Sequence, residues 1–221
     1  MPVDLLWNSP SDPIATLVLA HGAGAAMDSV WMNDFAALLE ARGIRVARFE
    51  FDYMAARRTG SRKPAPKAER VLDEYRAAVD AVGGPVYIGG KSYGGRVASM
   101  VADELHDAGT VEGLVCLGYP FHPPGAPEKL RTAHLLELRT PALICQGTRD
   151  PFGTREEVVG YGLPESIRFC WLEDGEHEFK PRAKLSGHTH AEHLATAADA
   201  VADFARSVGY DGTGESQGDV A

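Results

Sequence analysis

The chain has 221 residues, enough for one compact domain with a layered core that needs neither disulfides nor metal. Its 44% hydrophobic and 24% charged residues are ordinary globular values and exclude extensive disorder. A formal charge of −9, from 31 acidic against 22 basic residues, lacks the positive footprint that nucleic acid or an anionic membrane requires, so neither is expected as a partner.

The opening MPVDLLWNSP carries neither a basic stretch nor an apolar run, and no later segment reaches membrane-spanning length. A cytoplasmic chain is therefore expected. The first apolar run, 14–20, reads as a strand and leads into His21-Gly22-Ala23-Gly24. A helix over 30–41 and a strand over 44–51 follow. Residues 57–67 (RRTGSRKPAPK) form a basic, Pro-containing loop, and 68–82 reads as a helix. Strand 86–89 runs into Gly90-Lys91-Ser92-Tyr93-Gly94 and then a helix over 94–108. Strand 114–117 is followed by GYPFHPPGA (118–126), a helix over 127–138 and a strand over 142–146. A short helix over 155–160, a strand over 167–172 and a helix over 190–207 complete the pattern. Thr154 with Glu157 and Thr189 with Glu192 are spaced as capping boxes. The strands are nearly continuous apolar runs, as parallel strands covered on both faces are. Alternation of strand and helix predicts an α/β fold, with a mostly parallel, twisted sheet flanked by helices on both faces, as a single domain over 1–209. Residues 210–221 read as a flexible tail. The three cysteines sit far apart in apolar runs and read as free thiols of a reduced compartment.

The strongest chemical signal is the Gly90–Gly94 turn. A serine on a sharp strand-to-helix turn is crowded by backbone two positions to either side, so near-absent side chains are needed there, and Gly90 and Gly94 supply them. The helix N-terminus that follows favours developing negative charge. A serine hydroxyl still needs a base and an orienting acid. Asp150 follows the strand 142–146, and His177 follows the strand 167–172, so both fall on the sheet edge where Ser92 emerges. Asp174 is a rival acid but shares a loop with His177, while Glu176 and Glu178 read as solvated. The amides of Tyr93 and Ala23 are the candidate oxyanion donors, with Gly24 allowing close approach of a substrate.

Together these motifs resemble the α/β-hydrolase superfamily, in its small dienelactone-hydrolase-like branch. The resemblance rests on AHGAG (20–24), a YMxxRR segment (53–58), GGKSYGGR (89–96), the GxxD acid loop (147–150) and the GEH histidine (175–177). It implies a Ser92–His177–Asp150 triad that hydrolyses an ester or related acyl bond of a small molecule through an acyl-enzyme, with no cofactor and no metal. Dienelactone hydrolases carry cysteine at the elbow, so Ser92 departs from that activity; HGAG departs from the HGGG of many lipases. The short excursion after 114–117 leaves little for a lid. Tyr119 and Phe121 are expected to form a stiff aromatic wall of the pocket, and Arg57 or Arg58 to steer an anionic substrate.

Rival readings exist. Gly22-Ala-Gly24-Ala-Ala-Met27 approaches a dinucleotide fingerprint, with Glu50 and Asp52 beyond the next strand, which would suit an NAD(P)-binding oxidoreductase. Met27 in place of the third glycine, and a Tyr87/Lys91 pair on a strand rather than a helix, oppose it. A phosphate loop ending in Gly90-Lys91-Ser92 would need glycine where Pro85 stands. His188, His190 and His193 lack a supporting ligand set for metal. A non-catalytic scaffold of the same fold is the last alternative. Oligomeric state is not legible.

Overall fold

The parallel runs seen in the sequence assemble into one sheet in a computed structural model that describes residues 3–210. Its strands are β1 (Leu6–Asn8), β2 (Ala15–Ala20), β3 (Ile44–Phe49), β4 (Val86–Lys91), β5 (Val111–Leu117), β6 (Ala142–Gly147) and β7 (Ile167–Leu172). The spatial order is β1-β3-β2-β4-β5-β6-β7, and every pairing is parallel except the antiparallel β1–β3 edge. β4 and β6 are buried along their whole length, which explains their apolar sequence up to the polar Lys91 and Gln146 near their C-terminal ends.

The helices are α1 (Val30–Glu40), α2 (Asp52–Arg58), α3 (Leu72–Val82), α4 (Tyr93–Asp107), α5 (Arg155–Val159), α6 (Ala183–Ser186) and α7 (His190–Tyr210). Two core clusters lie on opposite faces of the sheet. Phe35 and Leu39 of α1 pack with Ala198 and Val201 of α7 against Leu17 and Leu19. Tyr75 and Val79 of α3 pack with Val97 and Val101 of α4 against Val18 and Ile88. Both capping boxes form: Thr154 and Glu157 exchange bonds at the start of α5, as do Thr189 and Glu192 before α7.

The chain leaves β2 toward β3 on one side and returns to β4 on the other. The winding of the chain therefore reverses between the parallel β2 and β4, and the crevice beyond their C-terminal ends is where open α/β sheets bind ligands. The loops after β2 and β4 flank that crevice.

Four expectations need correction. Residues 127–138 form turns, not a helix. Arg131 N–H donates to Phe121 O and Leu135 N–H to Thr132 O, so the backbone bonds that a helix would require are spent elsewhere. The segment 57–67 begins inside α2 rather than as loop. The predicted helix 68–82 is a 3₁₀ turn at Ala68–Arg70 followed by α3. Of the expected tail, Tyr210 is the last residue of α7, and 211–221 lie outside the described residues. The cysteines are free; Cys116 and Cys145 are buried, and Cys170 is partly so. No helix among the described residues is long and apolar enough to cross a membrane.

Candidate active site

Ser92 sits between β4 and α4 with φ +50° and ψ −111°, a left-handed conformation that a non-glycine residue holds only when its surroundings dictate it. Those surroundings are tight. A Cβ on Gly90 would lie 2.4 Å from the carbonyl carbon of Gly94, and one on Gly94 would lie 2.6 Å from His21 O. The glycines are thus demanded by backbone crossing backbone.

The Ser92 Oγ lies 2.8 Å from His177 Nε2, and His177 Nδ1 lies 2.8 Å from Asp150 Oδ2. A carboxylate only accepts, so Nδ1 carries the hydrogen and Nε2 is left to accept from the serine hydroxyl. Asp150 is fully buried, and its carboxylate also accepts from Phe152 N–H at 2.9 Å and from Gln146 Nε2 at 3.0 Å. The Phe152 ring packs against the imidazole with centroids 4.2 Å apart. Gln146 also accepts from Tyr119 N–H at 2.8 Å, so one buried amide joins the loops after β5 and β6. Asp174, the rival acid, is bonded by Arg182 and lies 2.7 Å from Arg149; the Arg182 hydrogen bonds hold its carboxyl well below the usual range.

The loop after β2 is held from outside. His21 is buried; its Nε2 accepts from Phe51 N–H at 3.2 Å, which leaves Nδ1–H to donate to Gly22 O at 2.7 Å. Burial lowers its pKa. The Tyr53 hydroxyl reaches Ala23 O at 3.2 Å, and Glu50 accepts from Met27 N–H at 3.2 Å. Ala23 N–H has no acceptor among the described residues, and Tyr93 N–H, the first of α4, has no intrahelical partner.

The cleft beside Ser92 has a volume of about 370 Å³ and is walled by Ala23, Gly24, Trp31, Met32, Lys91 and Glu178. Ser29 also lines it, with its Oγ buried and unpartnered. Tyr119 and Phe121 do not: both rings are fully buried in the core, and the Tyr119 hydroxyl donates to Arg131 O at 3.0 Å. Arg58 makes a two-pronged bond to Glu50 and lies 2.9 Å from Asp28; Arg57 donates to Lys63 O and stands over the Tyr53 ring. Arg58 braces the β2 loop region through Asp28 and Glu50, Arg57 does not reach it, and neither lines the cleft. Glu178, expected as solvated, lies 3.3 Å from the Lys91 ammonium. Several residues of this neighbourhood were not expected from the sequence, among them Gln146, Lys91 and Trp31. Gln146 and Lys91 are polar residues ending apolar strands, a signal that was available; Trp31 carried none.

The rival chemistries find little here. Tyr87 is buried with its hydroxyl on Ala205 O, remote from Lys91's contacts. No group of three or more His, Cys, Asp or Glu is placed to hold a metal among the described residues. His190 and His193 instead bond the carbonyls of Glu178 and Phe179.

A family model described as an alpha/beta hydrolase domain matches residues 13–206. The chain belongs to the α/β-hydrolase family. Solved α/β-hydrolases share its architecture. A dienelactone hydrolase from Anabaena variabilis is 19% identical, with a TM-score of 0.68 over 91% of this chain and 89% of that one. A lidless α/β serine hydrolase from Xanthomonas campestris is 18% identical, with a TM-score of 0.68 over 93% and 88%. An α/β serine hydrolase homologue from Coxiella burnetii is 15% identical, with a TM-score of 0.65 over 92% and 90%. These matches share the α/β-hydrolase architecture that the motifs implied.

Proposed function

We propose that this α/β-hydrolase is a serine hydrolase that cleaves an ester or related acyl bond of a small molecule. The observation that carries the reading is the continuous chain from Ser92 Oγ through His177 to Asp150, with both links at 2.8 Å. In the proposed reaction, Ser92 attacks the carbonyl while His177 Nε2 takes its proton. The same proton is then given to the leaving group, and water repeats the sequence on the acyl-enzyme. Asp150 holds the imidazole tautomer and stabilises the imidazolium. The Tyr93 and Ala23 amides receive the oxyanion, and the helix N-terminus behind Tyr93 adds to their effect.

The cleft volume, near the lower end of ligand pockets, favours a compact substrate. Trp31 offers apolar contact at the cleft wall. The likeness to a lidless serine hydrolase supports an open site. Each buried methylene is worth about 0.8 kcal/mol, so an acyl chain that outgrows the cleft gains nothing further. Acetyl to hexanoyl p-nitrophenyl esters should give the highest kcat/KM, whereas a steady rise through dodecanoyl would reveal a tunnel.

A fluorophosphonate probe tests the reading. It should label Ser92, and Ser92→Ala should abolish labelling and lower kcat by about 10⁴- to 10⁶-fold in a folded protein. Asp150→Asn should be nearly as damaging, and Asp174→Asn should be mild. A folded protein that the probe leaves unlabelled would return the chain to a non-catalytic scaffold.

A further inference from the structure

Lys91 has no part in the proton transfers just described, yet it is buried at the centre of the site. It ends β4, one residue before Ser92. Its ammonium donates to the main-chain carbonyl of His177 at 2.9 Å and lies 3.3 Å from Glu178 Oε1. It also stands over the rings of Trp31 and Phe179, at 5.5 and 5.9 Å. Its stem runs beside Gly22, where a Cβ would come within 3.8 Å of Lys91 Cγ. One side chain thus touches the nucleophile's strand, the base's loop, the oxyanion loop and the cleft wall.

An ammonium withdrawn from water costs several kcal/mol unless it is paired, and the folded state would gain from an apolar residue there if packing were the only need. The burial lowers the Lys91 pKa, while Glu178 and Asp150 work to restore it. The carbonyl contact indicates what the charge achieves. Asp150 fixes the His177 ring at Nδ1, and His190 and Phe179 N–H hold the flanking backbone at Glu178 O and Glu176 O, but the carbonyl of His177 itself is held by Lys91. Lys91 ties that backbone to the residue preceding the nucleophile.

We infer that Lys91 is a positioning residue that clamps the His177 main chain to the nucleophile's strand, with Glu178 as its counter-charge, so that Nε2 stays in register with Ser92 Oγ during turnover. This rests on the serine-hydrolase reading. The prediction concerns kcat rather than binding, because a displacement of about 1 Å in a catalytic group can cost on the order of 10²-fold in rate.

The test uses the full chain and p-nitrophenyl acetate. Lys91→Met keeps the stem and removes the donor and charge; Lys91→Arg keeps both. Lys91→Met should lower kcat and the rate of fluorophosphonate labelling by about 10- to 100-fold, with KM changed by less than about threefold. Lys91→Arg should recover most of the loss. If Lys91→Met alone fails to fold, the charge-neutral pair Lys91→Met with Glu178→Gln is read in the same way. Unchanged kcat in a folded variant, or a loss confined to KM, would overturn the clamp while leaving the serine-hydrolase reading intact. Failure of the unaltered protein to label at Ser92 would overturn both.

Discussion

The segments after β2 and after β5 lie on the same edge of the sheet and were both expected to border the substrate, yet they are built in opposite ways. Residues 22–25 are small and exposed or half-exposed, and their loop is stabilised from behind by His21, Tyr53 and Glu50. Residues 118–122 turn Tyr119, Phe121 and His122 inward, all nearly free of solvent contact. The first segment keeps the backbone of 22–25 available to a ligand because its anchors are His21 at its start and Glu50 and Tyr53 in neighbouring elements. The second spends its aromatic rings on the core and has little left to offer a substrate. An aromatic, proline-rich loop is therefore better read as a core plug unless something else holds it open.

The sharpest way to break this contrast is Phe121→Ala. As a core truncation it should cost about 3–5 kcal/mol, lowering Tm by roughly 6–20 °C in a chain of this size, while the folded fraction keeps its kcat/KM. A raised KM with unchanged Tm would instead return Phe121 to the pocket wall.

His21→Gln should give a smaller effect with a pH signature. Burial depresses the His21 pKa in the fold, so its neutral form contributes stability above the unfolded value of about 6.5, and that contribution is lost as pH falls through the folded value. The Tm gap between the unaltered protein and His21→Gln should be widest above about pH 6.5 and narrow below it. A gap that widens on acidification would mean that His21 is held charged.

Glu50→Gln should weaken the Arg58 brace and the Met27 contact together. A fall of about 3- to 10-fold in kcat/KM, equivalent to about 1 kcal/mol, is expected, equal for neutral and carboxylate-bearing esters. The smallest effect belongs to Arg57→Ala, with kcat/KM unchanged within about twofold on either ester, since its partners are Lys63 O and the Tyr53 ring. A loss selective for the carboxylate ester would show that the cation reaches the cleft after all.

The same contrast explains what could be read in the sequence. The six parallel strands were legible as nearly continuous apolar runs, fullest in β4 and β6, which are buried along their length, and weaker in the half-exposed edge strand β7. The positions of Ser92, Asp150 and His177 were legible because each follows such a run. β1 was missed: three residues, Leu6–Asn8, at a half-exposed sheet edge carry no periodicity. α2 was missed because Phe51 precedes it without a side-chain cap and its arginines resemble a loop. The helix expected at 127–138 relied on Leu130, Leu135 and Leu138, but Leu130 is half exposed and only the other two are buried, each fixed by local turns. Side-chain direction within a loop has no sequence period at all, which is why Tyr119 and Phe121 were assigned to the wrong side of the backbone.

The order of strands in the sheet has one more consequence. The groups gathered at Ser92 come from loops that follow β2, β4, β6 and β7, and the serine and histidine are 85 residues apart in the chain. No contiguous fragment and no half-formed sheet contains them all. A refolding chain should therefore stay inert toward a fluorophosphonate until β7 has docked and the loop after it has delivered His177. Labelling would then appear in one step with the last of the native fluorescence change, making the probe a clock for the completion of folding.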